Sequence, residues 1–378
     1  MGKIIAVDGN LMCGKRTGMG TVAYNVVRQW HPDSSIRVIL YVPEKLESDY
    51  MQELQTNGIE IKILGKFNYA KWEQKIIPFA VDADRADVLW SPYNTAPLRI
   101  KAKRVMTIHD VIYMKASWIE TPTLYKKAGL LYRRLVVPRA AKGAAKIITI
   151  SEYARQEIGQ MFPYVQDKMD VIYDSASKDT TALDDQERDA FFRKHSIRNN
   201  YILAFGSLEK RKNVLRVIKA YKQLPEQIRE NHQLVLFGFR GYEGSDIEKY
   251  LHEHGRGLDI VILGFVTDEE KNTLYQNCEC FVFPSISEGF GIPVLEAYAN
   301  HALVITSNTT SLPEVAGDAA LLVDPENVVE ISDAMQDILQ WDADKKITQQ
   351  DEADKQLAKF DWQITADGVF RVLLESSV

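Results

Sequence analysis

Residues 281–299 read FVFPSISEGFGIPVLEAYA, and this stretch decides the fold. An apolar run of the kind that forms a buried strand stops at Pro284, a glycine-containing turn follows, and a helix begins near Pro293. Proline suits a first helical turn, because the amide hydrogen it lacks would have no partner there anyway. The turn Glu288-Gly289-Phe290-Gly291 therefore lies at a helix start, where backbone amides and a dipole equivalent to about half a positive charge favour an anion. Glu288 precedes the helix and Glu296 lies on it, so one carboxylate sits in the loop and the other roughly a turn inside. Carboxylates accept hydrogen bonds from neighbouring sugar hydroxyls, which fits one to a hexose and the other to a ribose. The plainer alternative is that Glu288 caps the helix and Glu296 is solvated.

The same strand, turn and helix pattern recurs on both sides. Short apolar runs ending in Gly, Asp or Ser alternate with stretches of helical periodicity, as in βα units around a parallel sheet. Strands are expected at 3–7, 37–41, 59–63, 88–91, 103–108, 146–149 and 169–173. A polar stretch over 174–200 follows, and the alternation restarts at 201–205, 233–237, 260–263, 280–283 and 303–306. The restart places a boundary near residue 173. The expected chain is α/β, with two Rossmann-like doubly wound domains at 1–173 and 174–358 and a helix in 359–378 that crosses back to the first. Open parallel sheets bind ligands at the carboxyl ends of their strands, so the chemistry is expected in a cleft facing both sets of ends.

Three further clusters lie at such ends. Strand 201–205 runs into Gly206-Ser207 and then Lys210-Arg211-Lys212-Asn213 before a helix. Cations there can neutralise a diphosphate leaving group, where negative charge grows in the transition state. A merely solvated charge run is the alternative, but Lys and Arg oppose the dipole at a helix start. In the first half, Arg16-Thr17-Gly18-Met19-Gly20-Thr21 opens a helix, and Gly18 and Gly20 let backbone approach a ligand. Thr107-Ile108-His109-Asp110 ends another strand, placing His109 and Asp110 like site residues, although a lone histidine is often structural. Ser151 and Glu152 most simply cap the next helix.

Together, residues 206–213, Leu263-Gly264-Phe265-Val266, the block from Glu288 to Glu296 and SNTTSLPEVAGDAALLVDP at 307–325 resemble the retaining glycosyltransferases of family 4. This is glycosyltransferase group 1, in its bacterial polysaccharide type. The resemblance covers essentially the whole chain and is strongest over 200–325. It implies the GT-B fold, with the first domain on the acceptor side and the second binding the nucleotide sugar. It implies that Glu288 contacts the donor sugar, Glu296 the ribose, and Arg211 and Lys212 the diphosphate. Gly289, Phe290 and Gly291 would offer amides to phosphate and sugar, Gly206 and Ser207 would border the site, and Gly264, Phe265 and Val266 would frame the base. His109 would lie against the donor sugar with Asp110 beside it, and Gly18 and Gly20 would approach the donor phosphate or shape the acceptor site. Many relatives carry arginine where this chain has Ser207, which leaves the diphosphate to Arg211 and Lys212. The implied reaction moves a hexose, with retention and without metal or cofactor, from a nucleotide-diphosphate sugar to a saccharide or lipid-linked saccharide acceptor. Mannose from GDP-mannose, in lipopolysaccharide or related polysaccharide biosynthesis, is the first expectation. Rhamnose, glucose and N-acetylhexosamine donors follow it.

Other classes fit less well. A net charge of −6 argues against a nucleic-acid binder. Cys13, Cys278 and Cys280 are too few and badly spaced for a disulfide framework or a closed zinc site, which points to a reduced, cytoplasmic setting. MGKIIAVDGN runs straight into a strand without a leader-like apolar region, and no apolar stretch approaches the length of a membrane span. Residues 9–15 nearly match a phosphate-binding NTPase loop, but Arg16 replaces the magnesium-binding hydroxyl, and Asp351-Glu352-Ala353-Asp354 follows a polar stretch instead of a strand. A dehydrogenase would need GxGxxG after the first strand, and Gly18-Met19-Gly20 is followed by Ala23, with no clear ribose-binding acid beyond it. A binding protein without catalysis stays open. Asp82-Ala83-Asp84 and Asp342-Ala343-Asp344 have the letters of a metal-binding DxD, but both lie in helix-like surroundings. Between Thr121 and Lys146 the chain carries Lys126, Lys127, Arg133, Arg134, Arg139, Lys142 and Lys146 without an acid. Leu124, Tyr125, Leu130, Leu131, Tyr132, Leu135 and Val136 are interleaved, giving an amphipathic helix as far as Pro138. Two readings stand: peripheral contact with the inner face of the cytoplasmic membrane, or a core-facing helix with a solvated basic face.

Overall fold

The computed structural model describes residues 2–14, 18–115, 123–239 and 241–377. Lys15, Arg16, Thr17 and Thr121, which entered the sequence motifs, lie outside the described residues. The chain forms two compact units, one of Met1–Asp174 with Asp361–Val378 and the other of Ser175–Phe360.

The first unit is built on a seven-stranded sheet. Its strands are β1 (Lys3–Asp8), β2 (Ile36–Val42), β3 (Ile59–Ile63), β4 (Val88–Ser91), β5 (Lys103–Thr107), β6 (Lys146–Thr149) and β7 (Met169–Val171). They run in parallel in the order β3-β2-β1-β4-β5-β6-β7, so the connection changes direction between β1 and β4. A parallel sheet is covered on both faces, and its strands read as near-continuous apolar runs. Alternate residues divide accordingly. Ile5, Val7, Val38, Leu40 and Trp90 face one core, and Ala6, Ile39, Tyr41 and Leu89 face another with Trp72, Ile77 and Val81. The helix Trp362–Ser376 closes the first of these with Ala366, Val369, Val372 and Leu373, and the Trp30 indole donates to Ala366 O at 3.0 Å.

The helix Leu124–Lys142 differs from its sequence reading in two ways. It does not stop at Pro138 but continues to Lys142. Proline removes one helical hydrogen bond, yet Val136, Val137, Ala140 and Ala141 are buried on either side of it, and that packing carries the helix through. Its apolar residues also divide: Leu130 and Val136 are buried, whereas Leu124 and Tyr125 are 85% and 87% exposed, and Leu131 and Leu135 about half so. No helix among the described residues is long and apolar enough to cross a membrane.

The second unit carries a six-stranded parallel sheet. Its strands are β8 (Tyr201–Phe205), β9 (Gln233–Phe237), β10 (Ile260–Ile262), β11 (Cys280–Phe283), β12 (Val304–Ser307) and β13 (Ala320–Val323), in the order β10-β9-β8-β11-β12-β13. Here the direction changes between β8 and β11. The loops leaving those two strands, 206–213 and 284–291, therefore start side by side. Ligands bind open sheets at such a switch point. The near-match to an NTPase acidic motif, Asp351 to Asp354, lies within the helix Ala343–Leu357 and ends no strand.

Candidate active site

Glu288 is the centre of the second unit's switch point. It is 8% exposed. Lys212 Nζ and Ser285 Oγ donate to its Oε1 at 2.7 and 2.6 Å, and Arg211 Nη1 donates to Oε2 at 2.7 Å. Arg211 Nη1 also reaches Ser287 O at 3.1 Å, and Ile286 N donates to Arg211 O at 2.7 Å, which ties the two loops together. Burial alone would push the Glu288 carboxyl up, but the charges of Lys212 and Arg211 and the bonds from Lys212 and Ser285 outweigh it and hold it below the usual range. The ammonium of Lys212 also lies over the rings of Phe283 and Phe205, at 4.9 and 5.4 Å from their centroids. Glu288 is no helix cap, since the cap position of Ile292–Ala299 is Gly291.

Several local features build this arrangement. Asn213 stands at φ 65°, a conformation asparagine tolerates, and its amide donates to Pro284 O at 2.9 Å and Pro325 O at 2.6 Å. Gly291 has φ 125°, and a side chain there would come within 2.7 Å of Leu312. Phe290 is buried with its ring edge-on to Phe360 at 5.6 Å. Gly206 lies against Phe239, whose ring a side chain at 206 would strike. Ser207 Oγ accepts from Glu209 N at 3.1 Å and shapes the turn. Gly264 and Phe265 are exposed and Val266 partly so, in the loop after β10. Glu296 is not simply solvated: Lys271 Nζ lies 2.8 Å from its Oε1 and 3.0 Å from Asp268.

In the first unit, His109 follows β5 and is 6% exposed. Its backbone amide donates to Asn94 Oδ1 at 2.6 Å, its Nε2 lies 2.9 Å from Pro92 O, and its Nδ1 lies 4.0 Å from Asp174 Oδ2. A carbonyl only accepts, so Nε2 carries the hydrogen in this bond. Burial lowers the imidazole's pKa, against the opposing Pro92 bond and Asp110 charge. Asp174 is itself buried, and burial pushes its carboxyl up to about 7. Both line a small cavity with Trp90, Thr107 and Thr365. Asp110 turns back on its own backbone and accepts from Ile112 N at 3.0 Å. Gly18, at φ 48°, caps the helix Met19–Val27, and a side chain on Gly20 would strike Leu11 O.

The structure thus gathers Arg211 and Lys212 around the Glu288 carboxylate and gives Glu296 a separate cation. Ser285 and Lys271 were not singled out from the sequence, and Asn213 entered only as the last residue of the basic run. Nor was Asp174, although an aspartate just after a strand is a signal of the same kind as Asp110. The DxD letters do not form metal-binding pairs at strand ends. Asp84 accepts from Tyr41 Oη at 2.7 Å and pairs with Lys62, Asp82 accepts from Lys101 N at 3.1 Å, and Asp342 caps the helix Ala343–Leu357.

Residues 16–175 match the model of "Glycosyltransferase Family 4", and residues 185–356 match that of "Glycosyl transferases group 1". The chain belongs to the family 4 glycosyltransferases. Among its relatives, O-antigen chain mannosyltransferase B of Escherichia coli is 34% identical over 246 residues, 65% of this chain and 63% of that protein. The serotype-specific mannosyltransferase WbdA of Escherichia coli is 32% identical over 286 residues, 72% of this chain but 34% of that protein. The chain thus spans under two thirds of the length of either relative. The solved structure of Anabaena Alr3699/HepE in complex with UDP and glucose superposes over 99% of this chain and 100% of that one, with a TM-score of 0.74 at 18% identity. That similarity establishes a shared fold. This family 4 chain accordingly has the two-sheet α/β architecture of GT-B enzymes.

Proposed function

We propose that this family 4 chain transfers a hexose, first of all mannose from GDP-mannose, to a saccharide or lipid-linked saccharide during cell-surface polysaccharide synthesis. The transfer retains the anomeric configuration and needs no metal ion. The observation that carries this reading is the buried Glu288 carboxylate held by Arg211 and Lys212 at the switch point. Lys212 has three N–H donors and gives one of them to Glu288, so its ammonium, with the Arg211 charge beside it, can receive a diphosphate as it leaves. The helix Ile292–Ala299 adds its positive end on the same side of the sheet. Glu296 keeps the ribose role and His109 the donor-sugar role. The mannosyl choice is supported by the activities of the two Escherichia coli relatives.

In this reading the diphosphate departs while the acceptor hydroxyl attacks from the same face, and the leaving phosphate oxygen takes the acceptor's proton. Glu288 stabilises without attacking: both of its oxygens accept strong hydrogen bonds, which lowers its basicity and with it its strength as a nucleophile. A panel of nucleotide sugars, offered with excess chelator, tests the whole assignment. GDP-mannose is expected to be consumed fastest, with full activity in chelator and a retained anomeric centre by NMR. A strict manganese requirement, or a glycosyl adduct trapped on Glu288, would remove the corresponding part of the mechanism.

We further propose that the helix Leu124–Lys142 touches an anionic membrane surface. Leu124, Leu131 and Leu135 share one helical face, and all three are exposed among basic neighbours. Each basic residue near such a surface contributes roughly 1 kcal/mol, and each buried apolar side chain adds to it. Vesicles containing phosphatidylglycerol are expected to carry the protein upward in flotation. The triple change Leu124→Ser, Leu131→Ser and Leu135→Ser is expected to weaken that binding at least tenfold, since it removes the three apolar contacts of that face. A wild-type protein that stays at the bottom of the gradient sinks the membrane proposal and leaves a soluble acceptor.

A further inference from the structure

The end of β11 and the loop 284–291 that follows it are held from the β12 side by a row of buried hydroxyls. Thr306 Oγ1 donates to Phe283 O at 2.9 Å, and Ser307 Oγ donates to Ser285 O at 2.6 Å. Ser311 Oγ lies 2.6 Å from Phe290 O and 3.1 Å from Glu288 O, so one hydroxyl proton is shared between two carbonyls of the turn. All three residues are fully buried.

Ser311 is the informative member. It occupies the cap position of the short helix Leu312–Ala316, where a serine hydroxyl ordinarily accepts from an amide of the first turn. It makes no such bond and reaches across to the neighbouring loop instead. Thr310, just before it, is β-branched and yet stands at φ 60°, a conformation such residues avoid. The local backbone is thus strained, and a local cap is forgone, while Ser311 holds the turn.

Peptide planarity gives this contact a direction. In a trans peptide the carbonyl of one residue and the amide hydrogen of the next point opposite ways. The carbonyls of Glu288 and Phe290 both turn toward Ser311, so the amides of Gly289 and Gly291 both turn away from it. We propose that Ser311 is a positioning residue for the donor, whose hydroxyl aims the Gly289 and Gly291 amides to one side of the turn for a phosphate oxygen of a nucleoside diphosphate. This rests on the donor reading of the same site.

Calorimetric titration of GDP, UDP and ADP into the wild type, Ser311→Ala and Thr306→Val tests it. Thr306→Val also deletes a buried hydroxyl bond to a carbonyl of this segment, but at Phe283, outside the turn. For the nucleotide that the wild type prefers, Ser311→Ala is expected to bind about tenfold more weakly, the scale of one lost hydrogen bond. Its donor KM should rise in step while kcat falls less. Thr306→Val is expected to melt earlier and keep wild-type affinity. Amide NMR shifts of Gly289 and Gly291 should move in Ser311→Ala alone. If Ser311→Ala fails to fold, Ser311→Cys keeps a weaker donor of similar size and should bind with intermediate affinity. Wild-type affinity in the folded Ser311 variant, or equal losses in both variants, overturns the inference and leaves the donor reading in place. A wild type that binds none of the three nucleotides overturns the donor reading, and this inference with it.

Discussion

Lys212→Ala is expected to slow turnover by about 10²–10³, the scale for removing one preorganised group that stabilises developing charge. The Lys212 side chain is 13% exposed, and its ammonium is fixed on Glu288 at 2.7 Å and lies over the faces of Phe283 and Phe205. In such surroundings a charge is weakly screened and already in place before the leaving group forms, so its loss is felt in the transition state. The fold should survive, because Glu288 keeps Arg211 and Ser285 as partners. The carboxyl's pKa should rise in the variant, since the Lys212 charge is the largest of the influences holding it down. Steady-state kinetics beside a thermal melt separate the two effects. Turnover like that of the wild type would reduce the basic run to an ordinary helix start.

The second large effect is on stability. Burial pushes the carboxyls of Asp8 and Asp174 up to about 7, for Asp8 against the bonds it accepts from Trp72 and Asn10. In the unfolded chain both return to about 3.9. Between pH 4 and pH 7 the folded state therefore holds more protons than the unfolded one, and stability falls as pH rises, by about 1.4 kcal/mol per unit for each carboxyl. Above pH 7 the loss is complete. Glu73, also raised by burial, acts in the same direction. His109 acts the other way below pH 6.5, because burial lowers its pKa and its unfolded form binds the proton more readily. One histidine does not offset two carboxyls. Urea unfolding of the first unit is expected to be several kcal/mol harder at pH 5 than at pH 8. Asp8→Asn and Asp174→Asn should each shrink that difference. A pH-independent midpoint in the wild type would contradict the burial of both carboxyls as charged-state penalties.

The fold was legible because buried parallel strands are nearly continuous apolar runs. Twelve segments read as strands are strands, with ends moved by no more than two residues. β13 escaped notice because it is an edge strand of four residues, half-exposed and with Leu322 facing out, inside a stretch that reads as loop. The strand order was not readable from apolar runs, which identify a strand but not its neighbours. The helix through Pro138 was misjudged for a related reason: burial on both sides of the proline is a property of the packed unit. In the site, residue types and spacing pointed to Glu288, Arg211 and Lys212, and the structure joins them. Their supports, Ser285, Asn213 and Ser311, are common polar residues whose use depends on partners up to 112 positions away, as for Asn213 and Pro325.

The return of the chain to its first unit bears on how the protein is made. β1 to β7 emerge from the ribosome early, but the face that carries Val26, Trp30 and Trp90 stays uncovered until the helix Trp362–Ser376 arrives. The second unit, a continuous insertion, can complete its sheet in the meantime. For the time needed to translate roughly 190 residues, about 10–40 s at common elongation rates, the nascent first unit is expected to present an apolar surface. Premature termination after residue 360 would make that exposure permanent, and such fragments are expected to aggregate or be degraded even though both sheets are fully encoded.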